Sequence, residues 1–512
     1  MIIKISMLVL FFAVMVAVGI ACHKKATDVN GFVLGGRSVG PWLTAFAYGT
    51  SYFSAVIFVG YAGQFGWKFG IASTWIGLGN AVIGSLLAWV ILGRRTRLMT
   101  HRLDSRTMPE FFARRYDSKA LRIGASLITF IFLIPYTASL YNGLSRLFEM
   151  AFGIPYSYCI IAMAVLTGIY VIAGGYMATA VNDFIQGIIM LAGIVAVIAA
   201  VLNINGGAMS SVIKLAEVKG DFPDFPGAYS SFFGPLPVDL IGVVILTSLG
   251  TWGLPQMVQK FYAIKHESAI KKGTIISTFF AVVVAGGCYF LGGFGRLFLS
   301  QEEVDTYGFD AIVPKMLENL PDILIAVVVI LVLSASMSTL SSLVLTSSST
   351  LTLDVLDTAK KMEEKSKVIW MRVLIVVFIV ISASIALVQY SSPVTFIAQL
   401  MGVSWGALAG AFLAPFLFSL YWKKTTKISC WVCFIFGSAI MILNMFFRSS
   451  FPALLASPIN CGAFAMLAGF IIVPVVSLIT PKPDQKLVEN AFEAYEVPVT
   501  VKSKAILEQE DD

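Results

Sequence analysis

TAFAYGTSYFSAVIFVGYAGQFGWKFG, residues 44–70, is apolar and long enough to enter a lipid bilayer. Its centre, residues 47–54, is nevertheless crowded with glycine, hydroxyl and other small side chains. This composition disfavours a continuous helix, because glycine is conformationally free and hydroxyls compete for backbone hydrogen bonds. Irregular backbone is tolerated at membrane depth only where it is buried in protein or lines a polar cavity. We therefore expect a helix that is broken near its middle and lines such a cavity.

A second stretch of the same kind follows roughly 200 residues later. Residues 243–260 read VVILTSLGTWGLPQMVQK, and Gly250, Gly253 and Pro255 interrupt them. Interrupted helices at corresponding positions in two halves of a chain are the best sequence indication of a transporter's binding site. The two stretches together predict a pair of broken helices around one central site.

The composition is that of a polytopic membrane protein. Of the 512 residues, 58% are hydrophobic and only 13% are charged, and the mean hydropathy is +0.85. These values are far from those of a soluble globular domain. A membrane-spanning helix needs roughly 20 apolar residues, and by that rule the chain holds about 13 spans. They lie near residues 3–21, 42–64, 71–93, 123–150, 156–174, 180–204, 238–259, 272–298, 321–350, 370–389, 394–420, 428–447 and 459–479.

Basic residues collect on alternate connecting segments. The richest segment, residues 94–122, holds nine Lys and Arg residues against three acidic ones. On the same predicted side of the membrane lie Lys24, Lys25 and Arg37, the lysines from Lys260 to Lys272, and the clusters at 360–367 and 423–427. The positive-inside rule then predicts a cell-membrane protein with its N-terminus outside and its C-terminus in the cytoplasm. The net charge of +7 follows from this bias and does not predict nucleic-acid binding, because the charges flank helices and form no single stripe.

Several functional classes find no support in the sequence. The phosphate-binding pattern G-x-x-x-x-G-K-[ST] is absent, so uphill movement of a solute would have to draw on an ion gradient or a separate partner. A membrane enzyme would need a nucleophile–base pair, a metal cluster or paired carboxylates, and a sensor would need a signalling domain. The Cys430–Cys433 pair opens an apolar helix without a second pair or a nearby histidine, which favours packing over zinc binding. Residues 20–22 resemble a lipoprotein cleavage box, but a retained first helix is the favoured interpretation.

A hydroxyl-rich stretch lies in one of the predicted spans. Residues 334–342 read SASMSTLSS, and TSSST follows at residues 346–350. Na⁺ is a hard cation that prefers oxygen ligands, and adjacent Ser338 and Thr339 offer two hydroxyls beside the free carbonyls of a broken helix. The alternative is that these side chains bond to their own helix or to neighbouring helices, as Ser and Thr commonly do in membranes.

Asp183 lies at the inner edge of a predicted span, where an unpaired carboxylate is costly. It could be a way-station for a cation moving toward the cytoplasm, or an acid within reach of interfacial water. Its titratable carboxyl also leaves proton coupling open as the alternative to Na⁺ coupling.

The solute site must work without a fixed basic side chain, because the centres of both broken helices and of the hydroxyl-rich span contain no Lys or Arg. A solute carboxylate would then be held by helix N-termini, hydroxyls or the bound cation. Polar and aromatic side chains that could line the cavity are Tyr48, Ser51, Tyr52, Ser54, Thr247, Thr251, Trp252, Gln399 and Trp405.

Four stretches together resemble the sodium:solute symporter family, and they span most of the chain in the family's order. They are residues 33–41, residues 107–116, residues 174–187 and residues 335–342. The resemblance implies an all-α polytopic fold with a leucine-transporter-type core of two inverted five-helix repeats. The implied organisation is a first helix and basic loop (1–41), the first repeat (42–204), an extracellular loop (205–237), the second repeat (238–420), two peripheral helices (421–480) and a polar cytoplasmic tail (481–512).

The resemblance also implies functional residues. The family's sodium site falls here on the carbonyls of Thr50, Phe53 and Ala335 and the hydroxyls of Ser338 and Thr339, with Asp183 on the inward sodium path. The implied solute-binding residues are Ser51, Tyr52, Ser54, Thr251 and Trp252.

Within the family, this chain is similar to the pantothenate and proline branches. The pantothenate branch has a tyrosine where this chain has Tyr52, whereas the proline branch has an aspartate. The resemblance therefore implies Na⁺-coupled uptake of a small carboxylate-bearing solute, with pantothenate-like acids slightly ahead of proline-like amino acids and sugars third. The expected partners are this solute and the lipid bilayer, and no obligatory protein partner is evident.

Overall fold

A computed structural model describes residues 2–23, 26–218, 220, 222–318, 320–391 and 397–496 of the chain. These residues form helices joined by short turns, and they contain no β-strand. The helices of the first half are α1 (Ile2–Cys22), α2 (Val29–Leu34), α3 (Pro41–Tyr52), α4 (Ala62–Phe69), α5 (Thr74–Gly79), α6 (Arg94–Arg102), α7 (Met108–Tyr116), α8 (Lys119–Phe152), α9 (Tyr156–Ile204), α10 (Ala208–Ala216), α11 (Pro237–Val244) and α12 (Pro255–Tyr262).

The second half continues with helices of similar length. They are α13 (Ser268–Gly292), α14 (Gln301–Tyr307), α15 (Ile312–Leu317), α16 (Asp322–Thr350), α17 (Asp357–Ala359), α18 (Glu364–Ser391), α19 (Ile397–Tyr421), α20 (Lys427–Phe446), α21 (Ala453–Ala456), α22 (Pro458–Ile479) and α23 (Gln485–Phe492). Five π-helical segments, in which the backbone bonds one residue further along, extend these helices at Val56–Tyr61, Asn80–Leu87, Trp89–Gly93, Ile245–Leu249 and Leu351–Leu356.

The prediction of a polytopic all-α membrane protein is confirmed. Within the described residues, ten helical segments are long and apolar enough to cross a membrane, and the bent pair Pro237–Gly253 and Pro255–Tyr262 adds an eleventh. Helix α9 has 49 residues and bends sharply at Gly175, whose φ is 53°. At about 1.5 Å per residue it would extend about 73 Å, more than twice the hydrocarbon thickness, so it holds two crossings.

The segment Val56–Arg102 is similarly long, at 47 residues, and covers the second half of the first broken helix and the next predicted span. The count of about 13 spans is therefore roughly consistent with the structure. The division into repeats at 42–204 and 238–420 stays a prediction.

Helix α16 forms the centre of the bundle. Every residue from Val328 to Thr350 is buried, although this run contains the hydroxyl-rich stretch. The helix packs against α8, α9, α3 and α18. Because its polar side chains face other helices and not lipid, their hydrogen-bond partners must come from inside the protein.

The C-terminal segment differs from the solvated tail expected beyond residue 481. Helix α23 lies against α6 and α7, and its Val488, Ala491 and Phe492 side chains are buried. An amphipathic pattern places these three residues on one face, and that face covers the basic connecting segment. The remainder of the predicted tail, residues 497–512, lies outside the described residues.

Candidate functional site

The first broken helix ends where the sequence predicts. Helix α3 stops at Tyr52, and Phe53 takes an extended conformation with φ −106° and ψ 109°. The chain turns back into a helix only at Ala55, and the Ser54 carbonyl accepts hydrogen bonds from the Ile57 and Phe58 amides. The last carbonyls of a helix lack the donors of a following turn. The break thus leaves the carbonyls of Thr50 and Ser51 without donors from a following turn, inside the helical bundle.

Two hydroxyls of α16 point at these carbonyls. The Ser338 hydroxyl lies 3.0 Å from the Thr50 carbonyl oxygen and 3.0 Å from that of Ala335. The Thr339 hydroxyl lies 3.3 Å from the Thr50 oxygen, 3.4 Å from the Ser51 oxygen and 3.0 Å from the Ala335 oxygen. The structure therefore brings four of the predicted sodium ligands together: Thr50, Ala335, Ser338 and Thr339.

This cluster contains more acceptors than donors. Three carbonyl oxygens and two hydroxyl oxygens make five contacts, but each hydroxyl has a single proton to donate. At most two of the five contacts can be hydrogen bonds at one time. The oxygen lone pairs that these two protons leave unused make the cluster suitable for a hard, dehydrated monovalent cation.

The structure gives the two other predicted sodium residues different surroundings. Phe53 lies at the break itself, and its ring stacks on that of Tyr52 with centroids 4.3 Å apart. Asp183 lies on α9, where its carboxylate pairs with the Lys260 ammonium at 3.8 Å. Asp183 is therefore not a member of the oxygen cluster.

The second broken helix closes its break with its own backbone. Residues Gly250–Gly253 form a tight 3₁₀ turn, Leu254 is extended, and α12 begins at Pro255, with a bend of 45° between the two halves. Proline suits the first position of a helix, where its missing amide costs nothing. The predicted interruption by glycine and proline is confirmed.

Thr251 and Trp252 at this break are tied to carbonyls of the π-helical segment Asn80–Leu87. The Trp252 indole donates to the Ile83 carbonyl at 3.0 Å, and the Thr251 hydroxyl donates to the Ser248 carbonyl at 2.9 Å and lies 3.3 Å from that of Gly84. A π-helical register is a common source of spare carbonyls near functional sites. Both residues thus face the first half of the molecule.

Tyr52 joins the two breaks directly. Its hydroxyl donates to the Thr247 carbonyl at 2.5 Å, across a sequence distance of 195 residues. The Ser51 hydroxyl lies 2.8 Å from that of Ser342 on α16. All five predicted solute-binding residues are buried within the same region.

Ser54 belongs to a group of polar atoms that lack partners. Its hydroxyl neighbours the Tyr136 hydroxyl of α8, which in turn faces Trp405 of α19. The Ser54 and Tyr136 hydroxyls and the Trp405 indole nitrogen are buried, and none has a hydrogen-bond partner among the described residues. The three groups face one another without a well-formed hydrogen bond, so they could turn their donors to an anionic or carbonyl-bearing solute.

Three residues of this region differ from the expectations drawn from the sequence. Tyr136 was not identified, although a Pro135–Tyr136 pair in the middle of an apolar span is an available signal. Lys260 was assigned to the basic loop, but it is buried in α12 with its side chain 3% exposed. Gln399, a candidate for the cavity wall, instead accepts from Arg448 at 3.4 Å.

Comparison with known proteins agrees with this architecture. A Na⁺-coupled sialic acid symporter, solved in its substrate-bound outward-open state, superposes with a TM-score of 0.77 at 18% identity, covering 94% of this chain and 98% of that one. Mhp1, a nucleobase-cation-symport-1 family transporter, gives a TM-score of 0.52 at 14% identity, covering 90% and 97%. These likenesses show that the chain shares the overall fold of these two proteins.

The family follows from the sequence profile. The profile of the sodium:solute symporter family matches residues 32–437, so the chain belongs to that family. Similar curated proteins include sodium/proline symporter 2 of Staphylococcus saprophyticus, 29% identical with 85% of each chain covered. The sodium/proline symporter of Staphylococcus aureus is 28% identical over 94% of this chain and 92% of its own. The resemblance noted in the sequence is thereby confirmed, and the protein is a multi-pass membrane transporter.

Proposed function

We propose that this protein takes up a small carboxylate-bearing solute across the cell membrane by coupling its entry to Na⁺. The observation that carries the proposal is the oxygen cluster formed by Thr50, Ala335, Ser338 and Thr339, in which acceptors outnumber donors. A Na⁺ ion there would use the unpaired lone pairs, and the carbonyl of Phe53 at the break would complete its ligands. Asp183 would receive the ion on its way to the cytoplasm.

The solute assignment has separate support. The donors of Ser54, Tyr136 and Trp405, which form no well-formed hydrogen bond among the described residues, suit a carboxylate, which only accepts hydrogen bonds. Ser51, Tyr52, Thr251 and Trp252 would form the rest of the wall. The staphylococcal relatives are sodium/proline symporters, whereas Tyr52 favours a pantothenate-like acid, so both solute types belong in any substrate panel.

Coupling would arise because Na⁺ and solute share the first broken helix. The ion would hold the carbonyls of Thr50 and Ser51 against α16, and the solute would contact Ser54 and Tyr52 on the same helix. Ligands that favour the same state of a shared element raise each other's affinity by equal factors. Alternating access would then follow from one group of helices rocking against the other.

The orientation remains part of the proposal, with the N-terminus outside and the C-terminus in the cytoplasm. One observation supports placing the basic segment and the C-terminus on the same side. Arg102 pairs with Glu493, and the Arg95 guanidinium lies 4.5 Å from the centre of the Tyr495 ring. The richest cluster of positive charge and the C-terminal helix would therefore share the cytoplasmic face.

Uptake into proteoliposomes would test the function. Radiolabelled proline, pantothenate, other small carboxylates and a sugar would each be offered with an inward Na⁺, Li⁺ or proton gradient imposed separately. We expect saturable uptake of one carboxylate under the Na⁺ gradient alone. Uptake that follows the proton gradient and ignores Na⁺ would instead favour proton coupling through the buried carboxyl of Asp183, which is the second candidate function.

A further inference from the structure

Lys260 and Asp183 form an ion pair inside the protein. The Lys260 ammonium lies 3.8 Å from the Asp183 carboxylate, and the two side chains are 3% and 1% exposed. They are 77 residues apart in the chain and come from α12, the second half of the second broken helix, and from α9. Both side chains are buried, where an unpaired charge would be strongly destabilising.

A continuous line of polar contacts joins this pair to the oxygen cluster. The Lys260 ammonium donates to the Ser342 hydroxyl at 2.9 Å, and that hydroxyl lies 2.8 Å from the Ser51 hydroxyl. The Ser51 carbonyl in turn lies 3.4 Å from the Thr339 hydroxyl. Ser342 follows Thr339 by about one helical turn, roughly 5 Å along α16. The ammonium therefore lies between the cluster and Asp183.

The Asp183 carboxylate is poorly satisfied by what surrounds it. Neither of its oxygens has a hydrogen-bond partner among the described residues, and the ammonium is too far away for a short charge-assisted bond. Lys260 has other contacts, because its ammonium also lies 5.2 Å from the centre of the Tyr176 ring. The pair is held loosely, and the Lys260 ammonium has an alternative position over an aromatic ring. Such a pair suits the exchange of one cation for another.

We propose that Lys260 is a tethered cation that occupies the cytoplasmic exit of the sodium site and neutralises Asp183 while that exit is closed. This inference rests on the proposed Na⁺ site. When the exit opens, Na⁺ reaches Asp183 only as the ammonium withdraws, and the returning ammonium displaces Na⁺ toward the cytoplasm. Lys260 thereby promotes release of Na⁺ and keeps the resting site from holding the ion too tightly.

The test measures equilibrium binding of ²²Na⁺ alone to the purified full-length protein, with choline maintaining the ionic strength. Lys260→Met leaves the Asp183 charge uncompensated near the site and should tighten Na⁺ binding by about tenfold, as one unit charge within about 10 Å would. Asp183→Asn leaves the ammonium uncompensated and should weaken binding by about the same factor. The double variant should return to within about threefold of the parent, because the two changes cancel.

Two further variants separate charge from packing. Lys260→Arg keeps the positive charge and should preserve the Na⁺ affinity. Lys265→Met removes a charge from an exposed lysine five residues away and should leave it unchanged. In proteoliposomes, Lys260→Met should also lower the maximal rate of net uptake more than the rate of solute exchange, because release of Na⁺ becomes slow.

The direction in which each variant changes the Na⁺ affinity decides between the inference and a purely structural ion pair. If Lys260→Met and Asp183→Asn both weaken Na⁺ binding, or both leave it unchanged, the pair is only structural and the inference is wrong. Should Lys260→Met fail to fold, Asp183→Asn measured against the double variant still reports the interaction. A parent protein that binds no Na⁺ at all would overturn the proposed function. A parent protein that binds Na⁺, with variants that bind it equally well, would overturn only the inference about Lys260.

Discussion

The two broken helices satisfy the backbone groups at their breaks in opposite ways. At the first break, the carbonyls of Thr50 and Ser51 are left to hydroxyls of another helix, with more acceptors than protons. At the second, a 3₁₀ turn and Pro255 close the backbone, and the side chains of Thr251 and Trp252 donate to fixed carbonyls. One break keeps unused capacity for a ligand and the other does not.

This difference assigns different tasks to the two breaks. Spare oxygen lone pairs belong where an ion must enter and leave, because a site fully satisfied by the protein gains nothing from a cation. A satisfied, glycine-lined turn belongs where two elements must approach closely and hold position. We therefore expect substitutions at the first break to change Na⁺ affinity, and substitutions at the second to change packing and solute binding.

The largest effect is expected from removing both hydroxyls at the first break. The double variant Ser338→Ala, Thr339→Ala should weaken Na⁺ affinity by about 100-fold or more, since each lost ligand costs about 1.5–3 kcal/mol for a bond to a charge. The measurement is solute uptake as a function of Na⁺ concentration. Ser336→Ala is the matched control, because its hydroxyl bonds only to the Val332 carbonyl of its own helix. Parental Na⁺ dependence in the double variant would refute the site.

Gly253→Ala should have the next largest effect. It should disturb the packing of helices more than it changes Na⁺ binding. A Cβ there would lie 2.8 Å from the backbone nitrogen of Leu413, so α19 would have to move. Overpacking of this kind costs about 1–3 kcal/mol, and we expect a lower thermal midpoint and about tenfold slower uptake. Gly250→Ala is the control, because its Cβ would lie 3.5 Å from the Trp405 ring, an ordinary contact. Equal behaviour of the two variants would contradict the close-packed view of this turn.

Tyr136→Phe should change the affinity for the solute and leave the Na⁺ affinity unchanged. The hydroxyl forms no well-formed hydrogen bond among the described residues and only faces Ser54 and Trp405, so its loss should change thermal stability little. If it donates to a solute carboxylate, its loss should raise the solute concentration for half-maximal uptake by about tenfold, the size of a charge-assisted hydrogen bond. Na⁺ affinity measured without solute is the internal control. An unchanged solute affinity would remove Tyr136 from the site.

Trp252→Phe should have the smallest effect of the four. The change removes the indole hydrogen bond to the Ile83 carbonyl but keeps most of the aromatic surface. This bond lies within the protein and contributes about 1 kcal/mol to its stability, so its loss should lower the thermal midpoint slightly. Solute affinity should fall by about fivefold at most, because the ring loses the contact that positions it. Na⁺ binding in the absence of solute should stay near the parental value. A Na⁺ defect as large as the solute defect would mean that the two breaks are not separable in function.

The fold was largely predictable because it depends on composition and local chemistry. Apolar runs identify the crossings, since a bilayer demands a fixed length of hydrocarbon-compatible helix. Glycine, proline and hydroxyls identify the breaks at Phe53 and at Gly250–Leu254, because their effect on the backbone is local. An interruption near Gly175 was expected between the spans at 156–174 and 180–204, and the structure has a sharp non-helical kink there.

The candidate site was predictable only in part. Thr50, Ala335, Ser338 and Thr339 were grouped through a family resemblance, and the structure places them together, while their role as Na⁺ ligands remains a prediction. Lys260 was interpreted as a loop charge, because a lysine at the end of an apolar run usually flanks a membrane. Helix α23 was expected in solvent, because its composition is polar and only its buried face is apolar.

By itself, the sequence determined approximately how many segments can cross the membrane, where the central helices break and which segments carry hydroxyls, since these properties depend on neighbouring residues alone. The tertiary structure decided which oxygen atoms share a volume and which charges neutralise each other. Thr50 meets Ser338 across 288 residues, and Asp183 meets Lys260 across 77. Contacts over such distances depend on how the helices pack, because burial leaves each polar group with only the partners that packing supplies.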